Sequence, residues 1–357
     1  MRRVKIGFVL LSSRKNPAPS TRISILNILP NLQESGFEAS ILFEPDQSTE
    51  EPVIPDVVNR ATQNEIDIVY FQKVRGPSVV KTVRQLSARG VKTVYGICDL
   101  IEEQMVAETD ATIAVTEFLK SLYPESLQRK IFVVHDSIEN PDAKIEGYGN
   151  EFADSRSPLR AVLVTSSELW KLPIIRRTPN FVQVNVIGNY PKHAPWDAAR
   201  RHYWKFRSQP NLEEKMDYLG NVLDRKFVRV NWDPVGVYGE MSRSDLGIIP
   251  VNMCFDPLPR RNVSWWQVKS ENRLVMKMAM GLPVIACPVP AYNDVIVQGE
   301  NGYLASSREE WLACFEALRD PERRREIGNK ARESVIHRYS KEEQVRKLVA
   351  VLHRLAG

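Results

Sequence analysis

Short apolar runs rich in branched residues alternate with helical stretches along this chain, and few folds accept that rhythm. VKIGFVLL (4–11), FEASILF (37–43), DIVYFQ (67–72), VKTVYGI (91–97), ATIAVT (111–116) and KIFVVHD (130–136) are too short for helices, so each reads as a buried strand. Between the first two, Ile25, Ile28, Leu29 and Leu32 make one helical face that Gly36 should stop and Pro30 should kink. PSVVKTVRQLSARG (77–90) is a second helical stretch. Strands alternating with helices predict βαβ units and a parallel sheet. Residues 141–158, rich in Pro, Gly, Asn, Asp and Ser, break the pattern and mark the expected boundary. The rhythm then restarts with LRAVLVTSS (159–167), FVQVNVIGN (181–189), DLGIIPV (245–251) and LPVIACP (282–288). Residues 190–235 resist assignment, apart from an aromatic, basic helix or insertion over 191–210. Helices should follow over 307–320, 321–339 and 340–357, the last with Ser340 and Glu343 as a capping box. The fold class is therefore α/β with two facing Rossmann-like domains. The expected domains are 1–150 and 151–340, with a C-terminal helix, 341–357, packing back on the first.

Composition narrows the class further. Four cysteines in 357 residues, with no C-x-x-C, argue against a disulfide framework or zinc ribbon and fit a reducing compartment. No apolar run reaches the roughly 20 residues of a membrane helix. The start, MRRVKIGFVLLSS, imitates a secretory leader, but its apolar run is short and no small-residue cleavage site follows, so a first strand is expected. A cytoplasmic location is the default, with peripheral membrane contact allowed. The net charge of +5 suits anionic partners without selecting one. No nucleic-acid motif and no dense metal-ligand cluster is seen, so neither partner is expected.

The chemistry concentrates in residues 263–304, where a helical segment runs into Gly281-Leu282-Pro283, a buried strand VIAC and the loop PVPAYND. A short helix, DVIVQG, is expected to follow, then a turn at Asn301-Gly302 and a further short strand. This stretch resembles the donor-binding region of GT-B glycosyltransferases of family 4, whose pattern is E-A-x-A-x-G-x-P-V, a small-residue loop and a glycine-punctuated tail. The matching residues are Lys277 to Ala286, then Asp294-Val295-Ile296, Gly299, Asn301-Gly302 and Leu304. Trp311, Asp320, Arg324, Ala331-Arg332, Val335 and Tyr339-Ser340 fit the same family's tail, and Asp245 to Pro250 its preceding strand. Pro19 to Arg22, Gly36 to Ala39 and His135 to Ile138 resemble the first domain more weakly. The resemblance implies a GT-B fold with a nucleotide-diphosphate sugar held by the C-terminal domain. No further cofactor is implied, and the acceptor would be a carbohydrate or another hydroxyl compound.

The chain departs from that pattern. Many members carry two glutamates separated by seven residues; here Lys269 and Lys277 occupy those positions. The segment Lys269-Ser270-Glu271-Asn272-Arg273 resembles a K-S-x-x-K variant. A helix would place Lys269 and Arg273 on one face, where two cations stabilise a departing diphosphate. These two are the catalytic candidates. Glu271 is the candidate ribose contact, and Lys277 a further donor residue lying about 80° off that face by helical geometry. Pro290, Ala291, Tyr292, Asn293 and Asp294 form the candidate donor loop, where Pro290 has no N–H and the next three do. Ser12, Ser13 and Arg14 follow the first strand and, with Arg22, Asp99 and His135, are candidates for the acceptor side. For several the bland role stands beside the functional one: a salt bridge for Arg22, a helix cap for Asp99, a satisfied strand-end ring for His135. The run Arg323-Arg324-Arg325 is expected on a solvated helix face, and the basic stretch 196–207 on a packed helix with a solvated basic face, with a membrane-surface or acceptor-binding helix as the alternative.

The expected activity is retaining transfer of a sugar from a nucleotide diphosphate to a hydroxyl. The missing glutamate motivates an alternative, a catalytically weak homologue that binds a nucleotide sugar or a partner enzyme. A GT-B sugar epimerase is a further alternative; the absence of G-x-G-x-x-G after the first strand argues against a dehydrogenase.

Overall fold

A computed structural model describes residues 3–99, 101–147, 157–175, 178–190, 194–254, 256–258 and 262–357. Half of the expected boundary segment, 148–156, lies outside the described residues, as do 191–193 of the basic insertion. The chain forms two compact units. One comprises Met1–Glu139, Arg260–Asn272 and His337–Gly357, the other Asn140–Pro259 and Arg273–Ile336.

The first unit is built on a parallel sheet of β1 (Lys5–Val9), β2 (Glu38–Phe43), β3 (Ile68–Gln72), β4 (Lys92–Ile97), β5 (Ala111–Ala114) and β6 (Ile131–Val133), in the order β2-β1-β3-β4-β5-β6. The second carries β7 (Leu159–Val164), β8 (Val182–Gly188), β9 (Phe227–Asn231), β10 (Leu246–Ile249), β11 (Val284–Ala286) and β12 (Tyr303–Leu304), in the order β12-β11-β10-β7-β8-β9. Its pairings are likewise parallel. Both sheets are doubly wound. The strand order reverses between β1 and β3 in one and between β7 and β10 in the other, and the carboxyl ends of strands at such points are where ligands settle.

The reasons are local. β3 is buried at every position, which is why its sequence is an unbroken apolar run. β9 escaped the sequence reading because only Phe227 is buried; it is the edge strand, and FVRVN shows no core face. After β1, Pro30 removes the N–H that a continuous helix would need. The chain makes a short helix (Pro19–Thr21), a wider turn (Arg22–Leu26) and a fresh helix (Leu29–Glu34) with Pro30 in its first turn. Gly36 adopts a φ of +91° at the stop, which a glycine accepts without strain.

The C-terminal helix (Lys341–Ala356) belongs to the first unit's core. Val345, Leu348, Val351 and Leu352 pack with Ile25, Leu32, Phe37 and Ile68. Ser340 caps it by accepting the Glu343 N–H, but the Glu343 carboxylate turns to Arg346 at 2.7 Å instead of closing the box. The complete box forms two helices earlier, between Ser307 and Glu310. The Arg323-Arg324-Arg325 run is not wholly solvated as expected. Arg324 is buried and donates to the carbonyls of Leu318 and Arg319, both at 2.8 Å, closing the end of the preceding helix.

Candidate functional site

In the second unit the helix Asn272–Ala279 runs into Gly281, whose φ of +86° turns the chain into β11. The helix's last carbonyl, Ala279 O, accepts from the Arg332 guanidinium, which also reaches the carbonyls of Ala143 and Pro141. Arg332 thereby fixes the helix end. The helix starts at Asn272, after Lys269, so the expected shared face of Lys269 and Arg273 does not form; Lys269 belongs to the first unit. Both side chains are exposed, and neither makes an ion pair among the described residues.

Lys277 lies in the interior. Its stem crosses β10 at Gly247, where an added Cβ would come 2.6 Å from Lys277 Cδ. Its ammonium donates to Arg273 O at 3.2 Å, one helical turn back. Burial, and then the Arg273 charge, press its pKa down to about 7.

The loop after β11 also differs from expectation. The short helix is Pro290–Asn293, not DVIVQG, and it is seated by buried Ala291 and Tyr292. The N–H groups of Tyr292 and Asn293, expected to face a ligand, both donate to Val289 O, at 2.8 and 3.1 Å. Among the described residues this leaves the Ala291 N–H, of the three, without an acceptor. Asn293 and Asp294 are exposed, while Pro290 is partly covered. Asn301 closes the following turn: its side chain accepts from Val297 N–H and donates to Val295 O and Ser334 Oγ.

In the first unit a narrow cavity opens at the carboxyl ends of β3 to β6. Its polar lining includes Ser24, Tyr70, Gln72, Lys73, His135 and Asp136. Gln72 anchors the rim. Its Oε1 accepts from Leu11 N–H and Thr21 Oγ1, while Ser12 Oγ donates to Thr21 and accepts from Ala18 N–H. Ser12 is thus a loop fastener, completely buried. Ser13 accepts from Asn16 N–H, and Arg14 is held by Glu44 through a side-chain ion pair at 2.9 Å. Arg22 takes the salt-bridge role, meeting Glu139 at 2.6 Å. Asp99 does not cap the next helix; Glu102 does, and Asp99 pairs with Lys73 at 2.8 Å. Lys73 holds a φ of +60°, a strained position for a side-chain-bearing residue, beside the cavity.

The far wall carries a second titratable cluster. Asp136 is half-buried, and its oxygens accept from Ser24 Oγ at 3.2 Å and Ser270 Oγ at 3.4 Å. Burial and the neighbouring Glu271 raise its pKa to about 6, against the lowering effect of the two hydroxyls. Glu271, the expected ribose contact, sits in this first unit with 2 % exposure. His135 Nδ1 is 2.9 Å from Val115 O and 2.6 Å from Glu271 Oε1. The ring nitrogen's hydrogen bond is to Val115 O, so neither Glu271 oxygen has an aligned donor among the described residues. The sequence reading missed Lys73 and Asp136 as cavity residues. Their only signal was position, at the ends of predicted strands.

A doubly wound pair of parallel sheets with this strand order defines the GT-B class of fold. Comparisons with known proteins agree. Residues 238–350 match the sequence model of a family described as glycosyl transferase-like. A glycosyltransferase from Rickettsia africae superposes with a TM-score of 0.70 at 14% identity, covering 99% of both chains. Sucrose-phosphate synthase from Thermosynechococcus elongatus gives 0.68 at 13%, again over 99% of each. Anabaena HepE, solved with UDP and glucose, gives 0.65 at 13%, over 98% of this chain and 100% of its own. No curated protein sequence matches the chain. Together these likenesses show the GT-B fold.

Proposed function

We propose that the protein transfers a sugar from a nucleotide-diphosphate donor to an acceptor hydroxyl, with retention at the sugar carbon. The observation that carries the reading is the helix–Gly281–β11–loop sequence beside the switch point of the second sheet, inside the stretch that matches the glycosyl transferase-like family. Because the HepE structure holds UDP and glucose, a uridine diphosphate sugar is the first donor to test. Exposed Lys269 and Arg273 are the candidate partners of the leaving diphosphate, whose growing charge needs fixed cations. The Ala291 N–H is the backbone donor the loop offers. The first unit's cavity is the candidate acceptor site, with Asp136 and Lys73 as its polar handles. Positioning and charge stabilisation do most of the work in such a transfer, and the protein needs no covalent step of its own.

The interior placement of Lys277 favours a second reading, a homologue that binds a nucleotide sugar and transfers slowly. The residue standing at the usual glutamate position offers no carboxylate and points its amine at its own helix. Incubation with uridine diphosphate sugars, with and without hydroxyl acceptors, separates the two. Transfer or slow donor hydrolysis supports the enzyme, binding alone supports the weak homologue, and donor isomerisation without acceptor supports an epimerase. Arg273→Ala and Lys269→Ala should each weaken diphosphate binding, and unchanged affinity in both refutes their assignment.

A further inference from the structure

The helix Pro195–Arg207 buries none of its described side chains, and two tryptophans and a tyrosine stand in water on it. Trp196 is 78% exposed, Tyr203 52% and Trp204 61%. At 3.6 residues per turn, Trp196, Arg200, Tyr203, Trp204 and Arg207 fall within an arc of about 100°. The opposite side holds the helix in place. His202 Nδ1 lies 2.5 Å from the Tyr218 hydroxyl, and Lys215 sits 6.0 Å from the Phe206 ring, both partners on the helix Leu212–Leu223. The outward stripe is ordered within itself: the Tyr203 and Trp204 rings meet edge to face at 5.5 Å, and Arg207 donates to the Tyr203 hydroxyl at 3.4 Å.

Charge on this helix is one-sided. Arg200, Arg201, Lys205 and Arg207 stand against a single acid, Asp197, and Arg200 and Arg201 make no ion pair among the described residues. Burial, and then the charges of Arg201, Arg229 and Lys205, depress the pKa of His202, which reports a positive local field.

We propose that this aromatic and arginine stripe is a docking surface for an anionic lipid bilayer, with the helix lying in the plane of the headgroups. A helix back is convex, and small-molecule sites are concave, so the stripe suits an extended surface better than a soluble ligand. Indole and phenol rings settle where apolar chain meets polar headgroup, and arginines meet lipid phosphates there. No described helix is long and apolar enough to cross a membrane, so the contact is peripheral. The inference stands apart from the transferase reading.

The test is co-sedimentation of the full chain with vesicles of phosphatidylcholine alone or mixed with phosphatidylglycerol. Binding to the anionic vesicles should weaken as salt rises from about 0.1 M to about 0.5 M. The double change Trp196→Ser with Trp204→Ser should cost about tenfold or more in affinity, given the interfacial preference of the rings. Arg200→Gln with Arg207→Gln should cost about 25-fold, at about fivefold for each charge. Circular dichroism melts identify any variant that fails to fold, in which case the other pair carries the test. Failure of the wild-type chain to bind anionic vesicles overturns the proposal, as does equal binding to neutral ones or indifference to both double changes. A wild-type dimer in light scattering that the tryptophan variant dissociates also overturns it, because a second copy then covers the stripe.

Discussion

Lys277→Met should stabilise the protein, and the gain should depend on pH. The lysine's amine is fully buried with a pKa near 7, against about 10.5 in the unfolded chain. Below about pH 7 the amine is charged in both states, and the folded state carries the whole penalty of burying that charge. Between about pH 7 and about 10.5 the unfolded chain binds the extra proton, so stability rises with pH; above that range the penalty is gone. The interval corresponds to at most about 5 kcal/mol near pH 6 and about 2 kcal/mol near pH 9. Methionine keeps the length of the stem over Gly247 and needs no partner, and Arg273 O can still accept from the helix backbone. Urea unfolding of both proteins, at intervals from about pH 6 to about pH 9, measures the difference directly. A gain that shrinks as pH rises supports the burial argument. A pH-independent difference, or a methionine variant less stable near pH 6, refutes it.

Three further outcomes follow from the same geometry. Asp136→Asn should stabilise the protein above about pH 6 by up to about 3 kcal/mol, and the gain should fade as pH drops toward about 4; denaturation midpoints across that range check this. The sign follows from a raised pKa: the folded state loses its advantage as pH climbs through about 6 and the buried carboxyl ionises. Gly247→Ala should cost about 1–3 kcal/mol, since the new methyl meets the Lys277 stem, and Lys277→Ala in the same chain should recover part of it in a double-mutant cycle. Removing residues 341–357 exposes the core of the first unit. Four buried aliphatic side chains at about 1.5–3 kcal/mol each exceed what a marginal domain can lose, so the truncated chain should be insoluble or molten by near-ultraviolet circular dichroism.

Much of the architecture was legible because doubly wound sheets write themselves as buried runs. Ten strands stood out as apolar segments, and the short strand after Asn301-Gly302 was marked by its turn. β9 was hidden because an edge strand with one buried residue has no pattern to read. The site was less legible. Lys269, Arg273 and Lys277 are consecutive in a helical spacing, but the helix begins too late for Lys269 and turns Lys277 inward, and neither fact follows from spacing. Glu271 was assigned by its neighbours in sequence. Its true surroundings are His135 and Asp136, more than a hundred residues earlier, and only the folding of residues 260–272 into the first unit brings them together.

Local rules thus determined the elements: where strands run, where Gly36 and Gly281 turn the chain, and that Pro30 interrupts a helix. Those properties depend on a few residues and their backbone preferences. Tertiary structure decided which charges are met, buried or left open. Arg14, Arg22 and Asp99 were spent on Glu44, Glu139 and Lys73, while Arg200 was left to solvent beside Trp196. The sequence shows that a residue can carry charge, but the energy of that charge is set by the dielectric and the partners that distant segments bring to it.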